Sequence, residues 1–298
     1  MQSRYLTAND GYQIEVFTWP NDEAKAWVHI LHGMAEHASR YDEFAQALVA
    51  AGYAVIAHNH RGHGNSPSAQ IGLYAENDGW NKVLEDIDVV RNSIEGHLPY
   101  IMFAHSMGTF ITQAYLITQP KPIQGLILSG SNIQPLPLLK AGKMVAHLER
   151  WRKGALATSP LLQFLSFGSF NNAFKPNRTD FDWLSRDDNQ VDKYIADPLC
   201  GFDCNVQLWI DLFNGLIAVY GKGAIERIQQ DLPILIFGGD KDPVGEMGKG
   251  LPKLAKRYQQ AGQANVELKL YENGRHEMLN EINKQDVMND VIQWLNKQ

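Results

Sequence analysis

Short apolar runs alternate with amphipathic stretches over most of the chain. Residues 4–8 and 12–19 alternate apolar and polar positions around Asn9-Asp10-Gly11, which predicts two strands joined by a hairpin. Residues 26–31, 53–57, 100–105, 125–128, 234–237 and 266–271 are of strand length, and most are unbroken apolar runs. Between them lie stretches with helical spacing. Residues 41–51 place Phe44, Leu48 and Val49 on one side and stop at Gly52. Residues 79–94 repeat apolar positions at Trp80, Val83, Leu84, Ile87 and Val90. Residues 109–118, 246–261 and 284–295 are read as further helices.

This β–α alternation implies an α/β fold, a mostly parallel sheet with helices on both faces. The rhythm lapses between residues 131 and 230. That stretch has no clear strand series, carries Pro135 and Pro137, and contains a basic amphipathic segment with Lys140, Lys143, Arg150, Arg152 and Lys153. Helical spacing returns around residues 206–220. The expected organisation is a core of residues 1–130 and 231–298 with an inserted, mostly helical unit at 131–230.

Composition narrows this picture only slightly. The chain has 298 residues, 44% of them hydrophobic and 20% charged, enough to bury a core without cross-links. A net charge of −6 gives no reason to expect a nucleic-acid partner. Cys200 and Cys204 are four apart, unlike a C-x-x-C redox motif, and are expected to be reduced packing residues. The first ten residues lack the apolar run and cleavage site of a secretion signal. No apolar run approaches the ~18 residues of a membrane span. The cytoplasm is the expected location.

Candidate chemistry centres on Ala104-His105-Ser106-Met107-Gly108, between an apolar strand and a helix. Small residues two before and two after a serine allow a sharp strand-to-helix corner that lifts the hydroxyl clear of the sheet. A serine hydroxyl is a weak nucleophile. It needs a base, and the base needs an acid to orient it. Two later strands run into such groups: 234–237 into Gly238-Gly239-Asp240-Lys241-Asp242-Pro243, and 266–271 into Glu272-Asn273-Gly274-Arg275-His276-Glu277. In open α/β sheets, active groups gather at the carboxyl ends of strands. Ser106, Asp242 and His276 are therefore the candidate nucleophile, acid and base, with Asp240 as the alternative acid. The order Ser, Asp, His is that of α/β-hydrolases. His32, His58, His60, His63 and His105 also fall near strand ends, in the wrong order for the base, and are read as structural. No metal-ligand spacing appears, and the chemistry requires no cofactor. A tetrahedral intermediate needs backbone N–H donors, expected from Met107 and Met34.

These segments together resemble the serine α/β-hydrolases of the monoacylglycerol lipase and lysophospholipase group. His32-Gly33-Met34-Ala35-Glu36-His37-Ala38-Ser39-Arg40-Tyr41 is similar to its H-G-x-x-E-H-x-x-R-Y segment. His60-Arg61-Gly62-His63-Gly64-Asn65-Ser66 is similar to its glycine-rich loop, with Asn59 where an Asp is usual. Ala104 to Gly108 is similar to its G-H-S-M-G elbow, with Ala for the first Gly. The likeness is weaker across the insertion, where it runs through residues 181–187 and 197–200. The resemblance implies an α/β-hydrolase fold with a helical cap and a lipid ester substrate with one acyl chain. Leu161, Leu162, Phe164, Leu165, Phe167, Phe170 and Phe174 would line an acyl tunnel or form the core of the cap. Glu36 and Arg40 would contact the alcohol side of the ester or pair with each other. The basic stretch would face an anionic membrane surface or plain solvent. A peptidase or amidase is the rival enzyme, and a non-catalytic binding protein of this fold is the rival outside enzymes.

Overall fold

The structure, a computed structural model, describes all 298 residues. Its strands are β1 (Gln2–Thr7), β2 (Gln13–Trp19), β3 (Trp27–Leu31), β4 (Ala54–His58), β5 (Tyr100–His105), β6 (Gly125–Ser129), β7 (Ile234–Gly239) and β8 (Val266–Tyr271). They form one sheet in the order β1-β2-β4-β3-β5-β6-β7-β8. The hairpin turns at Gly11, whose φ of +87° suits a residue without a side chain. β1 and β2 are antiparallel, as are β2 and β4, and all remaining pairs are parallel.

The strands that read as unbroken apolar runs are the ones buried on both faces, as a parallel sheet between helices requires. β5 sends Ile101 and Phe103 to one face, against Phe44 and Leu48 of α1 (Asp42–Ala50) and Val287 and Val291 of α9 (Lys284–Leu295). It sends Met102 and Ala104 to the other face. There they meet α2 (Gly79–Asn92), α3 (Met107–Ile117) and α8 (Gly250–Gln260). The alternation follows from the two-residue period of a strand.

Between β6 and β7 the chain makes α4 (Leu136–Lys153), α5 (Pro160–Phe167), a short 3-10 turn (Phe170–Phe174), α6 (Asp188–Ala196) and α7 (Val206–Val219). Helix α7 is apolar almost all round because it is covered on both sides: α2 and α3 lie beneath it and α4 above. Asn205 caps its start, accepting the Leu208 N–H at 3.0 Å. No helix is long and apolar enough to cross a membrane.

One expected helix begins late. The spacing predicts a helix from residue 246, yet α8 starts at Gly250. Glu246, Met247 and Gly248 all have positive φ, and the Met247 N–H returns to the Asp242 carbonyl at 2.8 Å. The chain is spent there on a tight loop that carries Asp242, and only then becomes helical.

Candidate active site

β5 runs straight into α3, and Ser106 is the residue between them. Its φ of 49° and ψ of −119° lie outside the regions open to most residues, a strain held by the strand and helix on either side. The Ser106 N–H continues the β5–β6 ladder by donating to the Ser129 carbonyl at 2.9 Å. Gly108 sets how closely α3 approaches the sheet. A Cβ there would lie 2.3 Å from the Leu31 carbonyl oxygen, so no other residue fits without moving β3.

The three predicted side chains meet. His276 Nε2 lies 2.9 Å from Ser106 Oγ, and its Nδ1–H donates to Asp242 Oδ2 at 3.0 Å. Asp242 is fully buried, and Val244 N–H donates to its Oδ1 at 2.8 Å. Asp240, the alternative acid, instead lies beside the Lys241 ammonium. The loops after β7 and β8 are fastened together. Lys241 N–H donates to the Gly274 carbonyl at 2.9 Å, and a Cβ on Gly239 would come within 1.9 Å of that oxygen. Burial opposes a charged imidazole, but the Asp242 carboxylate outweighs it and raises the His276 pKa above its ordinary 6.5. His105 packs on the same ring, with centroids 4.7 Å apart. Burial, with His276 beside it, drives His105 down to about 4.

Met34 lines the cavity over Ser106 together with Gly33 and Ala35. Met107 is buried at the first position of α3, and its sulfur accepts the Tyr74 hydroxyl. Glu36 and Arg40 do pair, and the pair is part of a larger network. Glu36 also accepts the Gly33 N–H at 2.6 Å and the Tyr41 hydroxyl at 2.9 Å. Arg40 forks onto Glu277, next to the imidazole, at 2.9 and 2.7 Å. Burial alone would raise the Glu36 pKa, but the Arg40 guanidinium and these donors bring it below the ordinary value. The network ties the loop after β3 to the loop after β8.

The cavity has a volume of about 430 Å³. Its walls come from Met34, Phe164, Phe167, Phe181, Trp183, Leu184 and Phe202, and Ser106 and His276 open into it. Phe164 and Phe167 therefore line the cavity, whereas Leu162 is buried in the packing of the insertion and Leu161 and Leu165 face solvent.

Five further histidines, His29, His32, His58, His60 and His63, are buried on β3, β4 and the loops that follow them. His29 Nε2 and His58 Nδ1 share a hydrogen bond at 2.8 Å. The His32 ring stacks near His60 and His63, at 4.4 and 5.2 Å between centroids. His32 Nε2 accepts the His60 N–H at 3.0 Å, which fixes the two loops that carry them. One trio, His37, Asp197 and Cys200, brings three metal-ligating atoms close together. His37 and Asp197 already bond each other at 2.9 Å. Burial holds the Cys200 thiol well above its ordinary value, in its neutral form. Cys200 and Cys204 are both free.

The sequence pattern does not mark Glu277, Arg275 or Trp183 as site residues. The one trace was that charged residues flank His276 on both sides.

The family model described as serine aminopeptidase, S33, matches residues 22–283. A monoacylglycerol lipase of Mycolicibacterium smegmatis is 30% identical over 292 residues, covering 96% of this chain and 93% of that protein. The human monoglyceride lipase is 28% identical, covering 98% of this chain and 88% of that protein. Among solved structures, a thermostable carboxyl esterase from Bacillus coagulans, in complex with glycerol, superposes with a TM-score of 0.88 at 25% identity. That match covers 99% of this chain and 98% of the esterase. With the α/β-hydrolase sheet and the S33 match over most of its length, the chain belongs to the serine aminopeptidase S33 family and is a serine hydrolase of the lipase and esterase superfamily.

Proposed function

We propose that the protein hydrolyses a lipid ester with a single acyl chain, a monoacylglycerol or a lysophospholipid, through an acyl-enzyme on Ser106. His276 takes the Ser106 proton as Oγ attacks the carbonyl. Asp242 keeps the imidazole in the tautomer with Nδ1–H and steadies its positive charge. Backbone N–H groups of Met107 and Met34 receive the oxyanion; loss of one such donor costs about 3 kcal/mol of barrier. The proton on His276 passes to the departing alcohol, and water then cleaves the acyl-enzyme by the same base. Residues 131–230 act as the cap over this site. The observation that carries the reading is the Ser106–His276–Asp242 relay at 2.9 and 3.0 Å, opening into an apolar-walled cavity. The relatives named as monoacylglycerol lipases support the lipid end of it.

The test is a panel of monoacylglycerols, lysophospholipids, short esters and matched amides, together with fluorophosphonate labelling of Ser106. Single-chain lipid esters should give the highest kcat/KM. Faster turnover of the amides would replace the esterase reading with an amidase. A second pair of variants identifies the acid. Asp242→Asn should lower kcat about 10⁴-fold, the scale of losing the tautomer-fixing carboxylate. Asp240→Asn should stay within about 3-fold, since its charge is not on the imidazole; the reverse order would move the assignment to Asp240.

The cap also carries an exposed apolar stripe. Met144, Leu148 and Trp151 recur along one side of α4, with Met144 70% and Trp151 83% exposed. Phe164 on α5 is 68% exposed, and Lys140, Lys143, Arg150, Arg152 and Lys153 share α4 with the stripe. This pairing of apolar and basic residues fits contact with an anionic membrane surface. Sedimentation with anionic vesicles should exceed that with neutral ones and fall in Trp151→Ala. Equal sedimentation with both would remove the membrane from the proposal.

A further inference from the structure

The imidazole of His276 is held from more than one side. Asp242 reaches it from the loop after β7, and His105 from the serine corner. The third side comes from the insertion. Residues 182–185, just before α6, run beside residues 275–277. Glu277 N–H donates to the Leu184 carbonyl at 2.8 Å, and His276 N–H to the Trp183 carbonyl at 3.4 Å. The Trp183 ring lies against the imidazole, with centroids 5.2 Å apart and planes at 36°.

Arg275 fastens this strip. Its Nη1 donates to the Ser185 carbonyl at 2.9 Å and also to the Asp182 carbonyl, so the two bonds bracket Trp183 and Leu184. The guanidinium also sits 4.3 Å from the centre of the Phe174 ring. The main-chain N–H of Arg275 donates to the buried Glu281 carboxylate at 2.9 Å, and Glu281 in turn holds Arg186 at 2.8 Å. Arg275 itself makes no ion pair within 4.0 Å, so its side-chain donors go to main-chain carbonyls. An arginine placed in this way fixes backbone position rather than neutralising a charge. The Trp183 ring also stacks on Phe167 at 6.1 Å and 17°, and the Trp183 main-chain N–H donates to Asn171 Oδ1 at 2.9 Å.

We propose that Arg275 is a positioning residue for His276, acting through the insertion: by clamping Asp182 and Ser185 it presses Trp183 against the imidazole and fixes the ring on the line from Ser106 to Asp242. The inference rests on His276 being the base. A base that drifts by an ångström loses the alignment that proton transfer needs, a loss on the order of 10²-fold.

The experiment measures hydrolysis of p-nitrophenyl acetate, a substrate too short to need the acyl cavity. Arg275→Ala should lower kcat about 10²-fold, with KM within about 2-fold. Arg275→Lys keeps the charge but cannot bracket two carbonyls, and should fall between. Trp183→Ala should also lower kcat, and adding it to Arg275→Ala should cost little more, because both remove the same support. The low-field proton resonance of the His276–Asp242 hydrogen bond should be sharp in the wild type and broadened in each variant, which a remote packing defect would not cause. If Arg275→Ala does not fold, Arg275→Lys and Trp183→Phe carry the same measurements. An unchanged kcat with a sharp low-field resonance in the folded variants overturns the proposal, as do fully multiplicative losses. Failure of the triad reading would look different: the wild type itself would resist fluorophosphonate labelling at Ser106.

Discussion

Ser106→Ala is expected to lower kcat on single-chain esters by about 10⁶-fold, the scale seen when a triad nucleophile is removed. The loss should be large because the three side chains work as a unit. The imidazole has no other hydroxyl to activate, and Asp242 can only orient a base that has lost its task. The fold should survive. Ser106 makes no buried side-chain bond except to His276, and the strained backbone at φ 49° is set by β5 and α3 rather than by the hydroxyl. The variant should therefore keep its unfolding midpoint while failing to react with a fluorophosphonate. The decisive reading is single-turnover acylation with purified variant. Acylation at the wild-type rate would mean that another residue is the nucleophile and that the relay serves some other purpose.

Stability should collapse steeply in mild acid. Six histidines, His29, His32, His58, His60, His63 and His105, are buried, and burial lowers each below the ordinary 6.5, to about 3 for His58 and about 4 for His63 and His105. A group depressed in the folded state contributes stability above its unfolded pKa and loses it as the pH falls. At pH 5.5 His58, His63 and His105 would each hold about 0.9 proton when unfolded and almost none when folded, and His29, His32 and His60 act in the same direction. Asp211 opposes them: burial raises its carboxyl to about 6, so the folded form binds about one proton there that the unfolded form does not. His276 is raised, is charged in both states at this pH, and cancels. The net difference from His58, His63, His105 and Asp211 is about 2 protons, a slope of about 3 kcal/mol per pH unit, which His29, His32 and His60 steepen. Against a total of about 5–15 kcal/mol, unfolding should come within about two to three pH units below 6.5. Tryptophan fluorescence and urea midpoints between pH 7 and 4 would follow it. A midpoint that stays flat down to pH 5 would contradict the prediction. Catalysis should fail earlier, as His276 takes its proton above 6.5.

How much of this was readable in the sequence depended on where each signal lay. The central strands were legible because burial on both faces demands apolar residues at every position. The serine corner was legible because close approach of helix and strand demands small residues, and Gly108 meets β3 as expected. Asp242, which stands directly before Pro243 in a loop that turns toward the neighbouring strand end, is the residue on the imidazole. The start of α8 was not legible. The left-handed run at Glu246, Met247 and Gly248 answers the need to carry Asp242, a demand made by residues far away in the chain. The roles of Arg275 and Trp183 left still less trace. Arg275 bonds to main-chain oxygens about 90 residues away, and every residue has such an oxygen. The Glu36–Arg40 pair was visible at four-residue spacing, but its extension to Glu277 was not.

The strip of backbone bonding between residues 183–184 and 276–277 bears on how substrate range can be retuned. The simplest place to trade caps between relatives is at β6 and β7, the strands on either side of the insertion. A cut there would replace Trp183, Leu184 and the carbonyls that Arg275 holds, and the recipient would inherit a loosened imidazole along with a new pocket. Exchanging only residues 136–165 would change the wall at Phe164 while leaving that strip native, with Phe167, Asn171 and Phe174 still against it. Donor segments chosen in this way should transfer chain-length preference without a general fall in turnover.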